Sequence, residues 1–215
     1  RVATAHDRIA EQFAAEPAVA AAATFAAAEL WRQQGSLSLA ERDYLRAAEL
    51  DAPRFAQRGL LGAADMQRRQ QRAEEALATY AKAEAVEPGS SRAQEARLWR
   101  GRVLQEAGRL DAAIPVFESA LEAAERPRQV IDASNLLALA WIAKDHLDAA
   151  ERVIEHAERV VETAAEDEPD ARERHRKALE AMSARKALQR VRDERSGAAA
   201  DAVRLDAERR AGAAN

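Results

Sequence analysis

The chain carries four histidines, His6, His146, His156 and His175, and their spacing supplies no metal or catalytic constellation. None makes a His-Glu-x-x-His pair, and with no cysteine there is no His/Cys cluster at metal-ligand spacing. His146 falls at an expected turn and His156 on an expected helix, so the histidines read as ordinary surface or partly buried side chains. Carboxylates are plentiful at 37, but a general acid needs one of them in an apolar pocket that raises its pKa. No acid is nominated. Glu74-Glu75 and Glu166-Asp167-Glu168 read instead as charges at helix starts, where the positive dipole end favours them. The eight glycines are scattered, and neither Gly59-x2-Gly62 nor Gly101 leads into the Gly-Lys-Ser/Thr ending of a phosphate loop. The absence of cysteine also excludes disulfides and thiolate nucleophiles. The expectation is a protein that is not an enzyme and holds no cofactor or metal.

Charge offers a second candidate. Between Ala171 and Arg195 lie nine bases (Arg172, Arg174, Arg176, Lys177, Arg185, Lys186, Arg190, Arg192, Arg195) and four acids (Glu173, Glu180, Asp193, Glu194). Nine minus four gives this segment +5, and with −4 overall the remainder is −9. Such a helix could meet nucleic-acid phosphates or an acidic partner. It has no aromatic on which a base could stack. Pairing with the acidic run Glu155, Glu158, Glu162, Glu166, Asp167 and Glu168 is the simpler expectation, and nucleic acid is not the expected partner.

The elements that position these groups come from a repeat. Four segments share a small residue, a large apolar residue four later and alanine three beyond: Ala40-Tyr44-Ala47, Ala76-Tyr80-Ala83, Ala113-Phe117-Ala120 and Ala150-Ile154-Ala157. Their starts are 36, 37 and 37 residues apart (76−40, 113−76, 150−113). Alanine matches are cheap here, so the nine aromatics are the sharper test. Three of them share the central column, and Trp31 and Trp141 share another, nine residues ahead of the leading alanine, with Gln67 and Leu104. Twelve residues ahead sits a small residue each time: Ala28, Ala64, Gly101 and Ala138. Turn-formers Gly35, Gly108 and Asp145 divide the halves, with Gln71 as the exception. Asp51-Ala52-Pro53, Glu87-Pro88-Gly89, Arg126-Pro127 and Glu168-Pro169 divide the units. Ser38-Leu39-Ala40-Glu41 and Ser91-Arg92-Ala93-Gln94 fit the capping box.

This pattern predicts helical hairpins. Ala, Leu, Glu and Arg lose little rotamer freedom in a helix, and no run alternates β-branched with polar residues as a strand would. A small residue in the first helix lets the second approach, and each hairpin buries its face only against its neighbours.

Gly35-Ser36-Leu37-Ser38-Leu39-Ala40 with Tyr44 and Ala47 resembles a tetratricopeptide repeat. So, more closely, does Gly101-x2-Leu104-x3-Gly108-Arg109-Leu110-Asp111-x-Ala113-Ile114-Pro115-x-Phe117-x2-Ala120-Leu121. The resemblance covers roughly residues 18–165. It departs from the family in its longer spacing, at Gln71 and at Ile154. It implies an all-α fold, a right-handed α-solenoid of stacked antiparallel helical hairpins with capping helices. It also implies that first helices line a concave surface. By the repeat phasing that surface carries Glu29, Arg32, Asp65, Arg68, Arg102, Gln105, Asn135, Leu139 and Ile142. Relatives that capture C-terminal carboxylates use Lys, Arg and Asn at such positions. Only Arg102 and Asn135 answer to that set.

The expected organisation is 1–16 as an N-terminal capping helix or partial repeat, with Val2, His6, Ile9 and Phe13 on one face. Repeats follow at 17–53, 54–89, 90–126 and 127–168. Residues 169–215 form a long basic helix to about Glu194, a break at Ser196-Gly197 and a shorter capping helix. Arg1 at the start implies that the natural N-terminus is missing. No apolar run reaches the ~18 residues of a membrane span. The expected function is a scaffold that docks a protein or peptide segment on its concave helical surface. The alternatives are an acidic-surface or nucleic-acid binder through the C-terminal helix, or the repeat region of a larger enzyme or sensor. Oligomeric state and compartment are not fixed by these residues, with the cytoplasm as the default.

Overall fold

The structure is a computed structural model describing residues 8, 12, 15–164 and 169–213. Among them every regular element is an α-helix: α1 (Pro17–Gln33), α2 (Leu37–Leu50), α3 (Ala52–Arg69), α4 (Ala73–Val86), α5 (Ser91–Glu106), α6 (Leu110–Glu122), α7 (Pro127–Ala143), α8 (Leu147–Thr163), α9 (Pro169–Glu180) and α10 (Ser183–Ala213). The face expected from Val2, His6, Ile9 and Phe13 lies outside the described residues, as does Glu166-Asp167-Glu168. The chain divides into two compact units, Arg1–Ala124 and Glu125–Asn215.

In the first unit α1–α2, α3–α4 and α5–α6 are antiparallel hairpins, each packed on the next, with α1 against α3 and α3 against α5. In the second, α7 and α8 form a hairpin on which α9 and α10 both pack. The repeat columns are the cores of these hairpins. Ala40, Ala76, Ala113 and Ala150 are fully buried, as are Ala47, Ala83, Ala120 and Ala157. Tyr44, Tyr80, Phe117 and Ile154 between them are 1%, 1%, 0% and 6% exposed, so one environment recurs four times. The small column lets the helices close. A Cβ added to Gly101 would stand 2.3 Å from the Phe117 ring.

Every hairpin turns through a left-handed residue at the same column. Gly35, Gln71, Gly108 and Asp145 have φ of +76°, +63°, +73° and +65°. At each, the residue's own N–H bonds the carbonyl three back and the next N–H bonds the carbonyl five back, at 2.9–3.1 Å. Gln71, the exception in residue type, is therefore no exception in geometry. Its exposed side chain carries a conformation that glycine adopts without strain.

Two expectations about helix ends shift. Ser36 and Ser90, not Ser38 and Ser91, are the N-cap residues, and the Ser90 hydroxyl accepts from Ala93 N at 3.0 Å. Ser38 instead donates to Gln70 Oε1 at 3.0 Å. Glu74 and Glu75 do lie in the first turn of α4. Pro115 lies in the second turn of α6, where it forfeits one main-chain hydrogen bond on an exposed face.

The C-terminal segment breaks elsewhere than at Ser196-Gly197. α9 ends at Glu180, and α10 runs unbroken through Gly197 to Ala213. An exposed mid-helix glycine costs only about 1 kcal/mol, too little to stop a helix. The break at Ala181-Met182 buries Leu179, Met182, Ala184 and Leu188 together. It also presents the new helix start to Asn135, whose Oδ1 accepts from Ala184 N at 3.0 Å and from the Ser183 hydroxyl at 3.1 Å.

Candidate functional site

The first helices of the first unit enclose an open cleft of about 360 Å³. Phe25, Glu29 and Arg32 come from α1, Arg58, Leu61, Gly62, Asp65, Arg68 and Arg69 from α3, and Arg92, Glu95 and Trp99 from α5. Its floor is the repeat column, Tyr44 and Tyr80. The periodicity that buries the second-helix aromatics thus also places them beneath the outward face of the first helices.

Charge pairs run along that face. Arg32 meets Glu29 at 2.7 Å, and Asp65 takes both Arg68 at 2.8 Å and Arg69 at 2.9 Å. Arg68 also reaches Glu106 on α5 at 3.5 Å. The Tyr44 hydroxyl donates to Glu29 Oε1. Burial alone would raise the Glu29 carboxyl. The hydrogen bonds from Tyr44 and Arg32 outweigh it and hold the group below the usual carboxylate range. The Tyr44 hydroxyl is pushed up, by burial first and then by that same carboxylate.

Guanidiniums also lie on rings. Arg58 sits 4.5 Å from the Phe25 centroid and 5.4 Å from that of Phe55. Trp99 has Arg68 at 4.8 Å and Arg102 at 4.6 Å from its ring centroid. Such stacking keeps a cation at an aromatic surface while leaving its N–H edges open to a ligand. Two buried donors at the cleft have no hydrogen-bond partner, the Tyr80 hydroxyl and Arg68 Nε. Burial raises the Tyr80 hydroxyl well above the ordinary tyrosine range, so it holds its proton.

Of the residues read from the phasing, Glu29, Arg32, Asp65 and Arg68 converge here, and Arg102 joins through Trp99. Gln105 is half-buried one turn further along α5. Asn135, Leu139 and Ile142 lie half-buried on α7 in the second unit, where Asn135 holds the start of α10. Sequence reasoning missed Phe25, Arg58, Arg92 and Trp99. The signal was available: helical steps of three, four and seven residues back from Asp65 and Arg102 reach Arg58, Leu61, Gly62, Glu95 and Trp99 on the same faces.

Three arginines of the basic C-terminal helix are engaged by acids of their own unit. Arg192 makes a two-pronged pair with Glu151 at 2.7 and 2.6 Å, Arg185 meets Glu158 at 3.2 Å, and Arg195 pairs with Asp145. Among the described residues no cluster of three or more potential ligands is placed to hold a metal ion, and no helix is long and apolar enough to cross a membrane.

Residues 94–127 match the tetratricopeptide repeat family model. That stretch is a tetratricopeptide repeat, set within an all-α stack of helical hairpins. Its fold is similar to BtubC from P. vanneervenii (18% identity, TM-score 0.61, 94% of this chain and 89% of that one). It is also similar to MamA (17%, 0.58, 72% and 84%) and to a tetratricopeptide repeat protein from Parabacteroides merdae ATCC 43184 (20%, 0.57, 90% and 73%). At these identities the likeness is one of fold. No curated protein matches the chain.

Proposed function

We propose that this chain is a tetratricopeptide-repeat protein and a non-catalytic protein-interaction scaffold. An extended segment of a protein partner docks in the cleft along α1, α3 and α5. The observation that carries this reading is the cleft's composition. An open trough whose walls hold Phe25, Leu61 and Trp99 among charged side chains offers apolar contact and orienting polar groups together, as peptide grooves do. The buried, unpartnered donors Tyr80 Oη and Arg68 Nε support it, because each loses about 1–3 kcal/mol until an acceptor arrives. The C-terminal helix fits a covering role better than a nucleic-acid surface, since Arg185, Arg192 and Arg195 are already paired with acids of their own unit.

The test is selection of binders from a displayed library of random peptides on the intact chain. Each selected peptide is then re-measured on Arg68→Glu and Trp99→Ala variants of unchanged helicity. Docking in the cleft predicts loss of at least about tenfold in affinity, roughly 1.4 kcal/mol. Peptides that bind both variants as well as the parent chain would refute it.

A further inference from the structure

The cleft has more cations than its own acids neutralise, and the surplus is placed on aromatic rings and beside unsatisfied donors. Arg32 is matched by Glu29, and Arg68 and Arg69 share Asp65. Arg58 and Arg92 make no ion pair within 4.0 Å among the described residues, nor does Arg102, whose guanidinium lies 4.6 Å from the Trp99 centroid. Glu95, one turn from Arg92, is the third acid of a lining that holds five arginines. This surplus stands in a chain whose overall charge is −4, so it is local.

The repeat phasing shows where the surplus arises. Repeats one and two place an acid three residues ahead of an arginine, Glu29 before Arg32 and Asp65 before Arg68. In repeat three the acid's column holds Arg102 itself, so the pair becomes an unanswered positive charge. Arg92 and Arg102 are ten residues apart on α5, about 15 Å at 1.5 Å per residue. An extended peptide covers that distance in four to five residues. Arg92 shares the cleft lining with Trp99, Tyr80 and Arg68, and Arg102 joins at the Trp99 ring.

We infer that the docked segment is acidic, with two carboxylate side chains four or five residues apart that meet Arg92 and Arg102 across the Trp99 ring. This inference rests on the docking function proposed above and adds the chemical class of the partner. A carboxylate is the ligand group that suits these partners. It accepts only, as an Arg68 Nε–H and a protonated Tyr80 hydroxyl require, and it matches the planar donor edge of a guanidinium. Arg58, held over Phe25 and Phe55, adds a third cation on the neighbouring helix.

The probe is a dye-labelled six-residue peptide with Glu at its first and fifth positions and an apolar residue between. It is acetylated and amidated so that only side-chain carboxylates are present. Counterparts with Gln or Lys at both positions serve as controls, and binding to the intact chain is read by fluorescence anisotropy. The acidic peptide should bind at least about tenfold more tightly than the Gln peptide at low salt, an advantage that shrinks as salt screens it. Arg92→Glu and Arg102→Glu should each erase most of that advantage without altering far-ultraviolet circular dichroism. Equal binding of the Gln or Lys peptide, or indifference to both charge reversals, would overturn the inference. Library peptides that depend on Trp99 yet lack acids would overturn the acidic specificity and leave cleft docking standing. A library with no Trp99-dependent binder would overturn both.

Discussion

Replacing Gln71 with glycine should stabilise the first unit, and the size of the gain follows from the turn column. Gln71 holds φ +63° in the position that Gly35 and Gly108 fill at +76° and +73°. A side chain in the left-handed region costs about 1–2 kcal/mol. Glycine returns roughly 0.5–1 kcal/mol of that through the greater freedom of its unfolded chain. Gln71 is exposed and its side chain makes no hydrogen bond among the described residues, so truncation removes no polar interaction there. The net gain is about 0.5–1 kcal/mol, a rise of about 3 °C in the melting of a unit this size. Urea and thermal unfolding of the parent chain, Gln71→Gly and the reverse change Gly108→Ala supply the assay. Gly108→Ala should lose about 1 kcal/mol by the same reasoning. A destabilised Gln71→Gly, or a Gly108→Ala of unchanged stability, would refute the claim that one left-handed turn geometry recurs at this column.

Three further outcomes follow from named contacts. Gly101→Ala drives a methyl to 2.3 Å from the Phe117 ring and should cost about 1–3 kcal/mol, read by urea unfolding. Asn135→Ala removes the side chain that accepts from Ala184 N, and should cost about 1 kcal/mol and speed proteolysis near Ser183. Glu29 has a folded pKa below its ordinary 4.5, so its contribution is present above that value and is lost as pH falls through the folded pKa. Melting temperatures measured from pH 7 down to pH 3 should therefore decline less steeply below about pH 4.5 in Glu29→Gln than in the parent chain.

The cores were legible because burial is local in this architecture. Tyr44, Tyr80 and Phe117 recur at one spacing, and a side chain of that size at such a column has only the gap between hairpins to fill. The turn at Gln71 was not legible from residue type, because main-chain hydrogen bonds and the packing of α3 on α4 close it without a glycine. The break at Ala181-Met182 depends on Asn135, 48 and 49 residues away from the groups it binds, and nothing near it in sequence outweighs the glycine signal at Gly197. A buried polar network was equally silent. Glu41 accepts from Gln67 Nε2 and Gln70 Nε2 at 2.9 Å each and from Arg72 Nη1 at 2.6 Å, yet each residue alone reads as a side chain turned to water. At the cleft, four of the phased residues came together, while Phe25, Arg58, Arg92 and Trp99 needed the helix faces to be followed further.

The indole signals offer the most direct test of where a partner sits. The chain has three tryptophans, of which Trp99 lies in the cleft, Trp31 is on α1 nearby and Trp141 is on α7 in the second unit. With fluorotryptophan incorporated, titration of a selected peptide should shift the Trp99 resonance first and most while leaving Trp141 in place. A shift confined to Trp141, with Trp99 unmoved at saturation, would contradict docking along α1, α3 and α5.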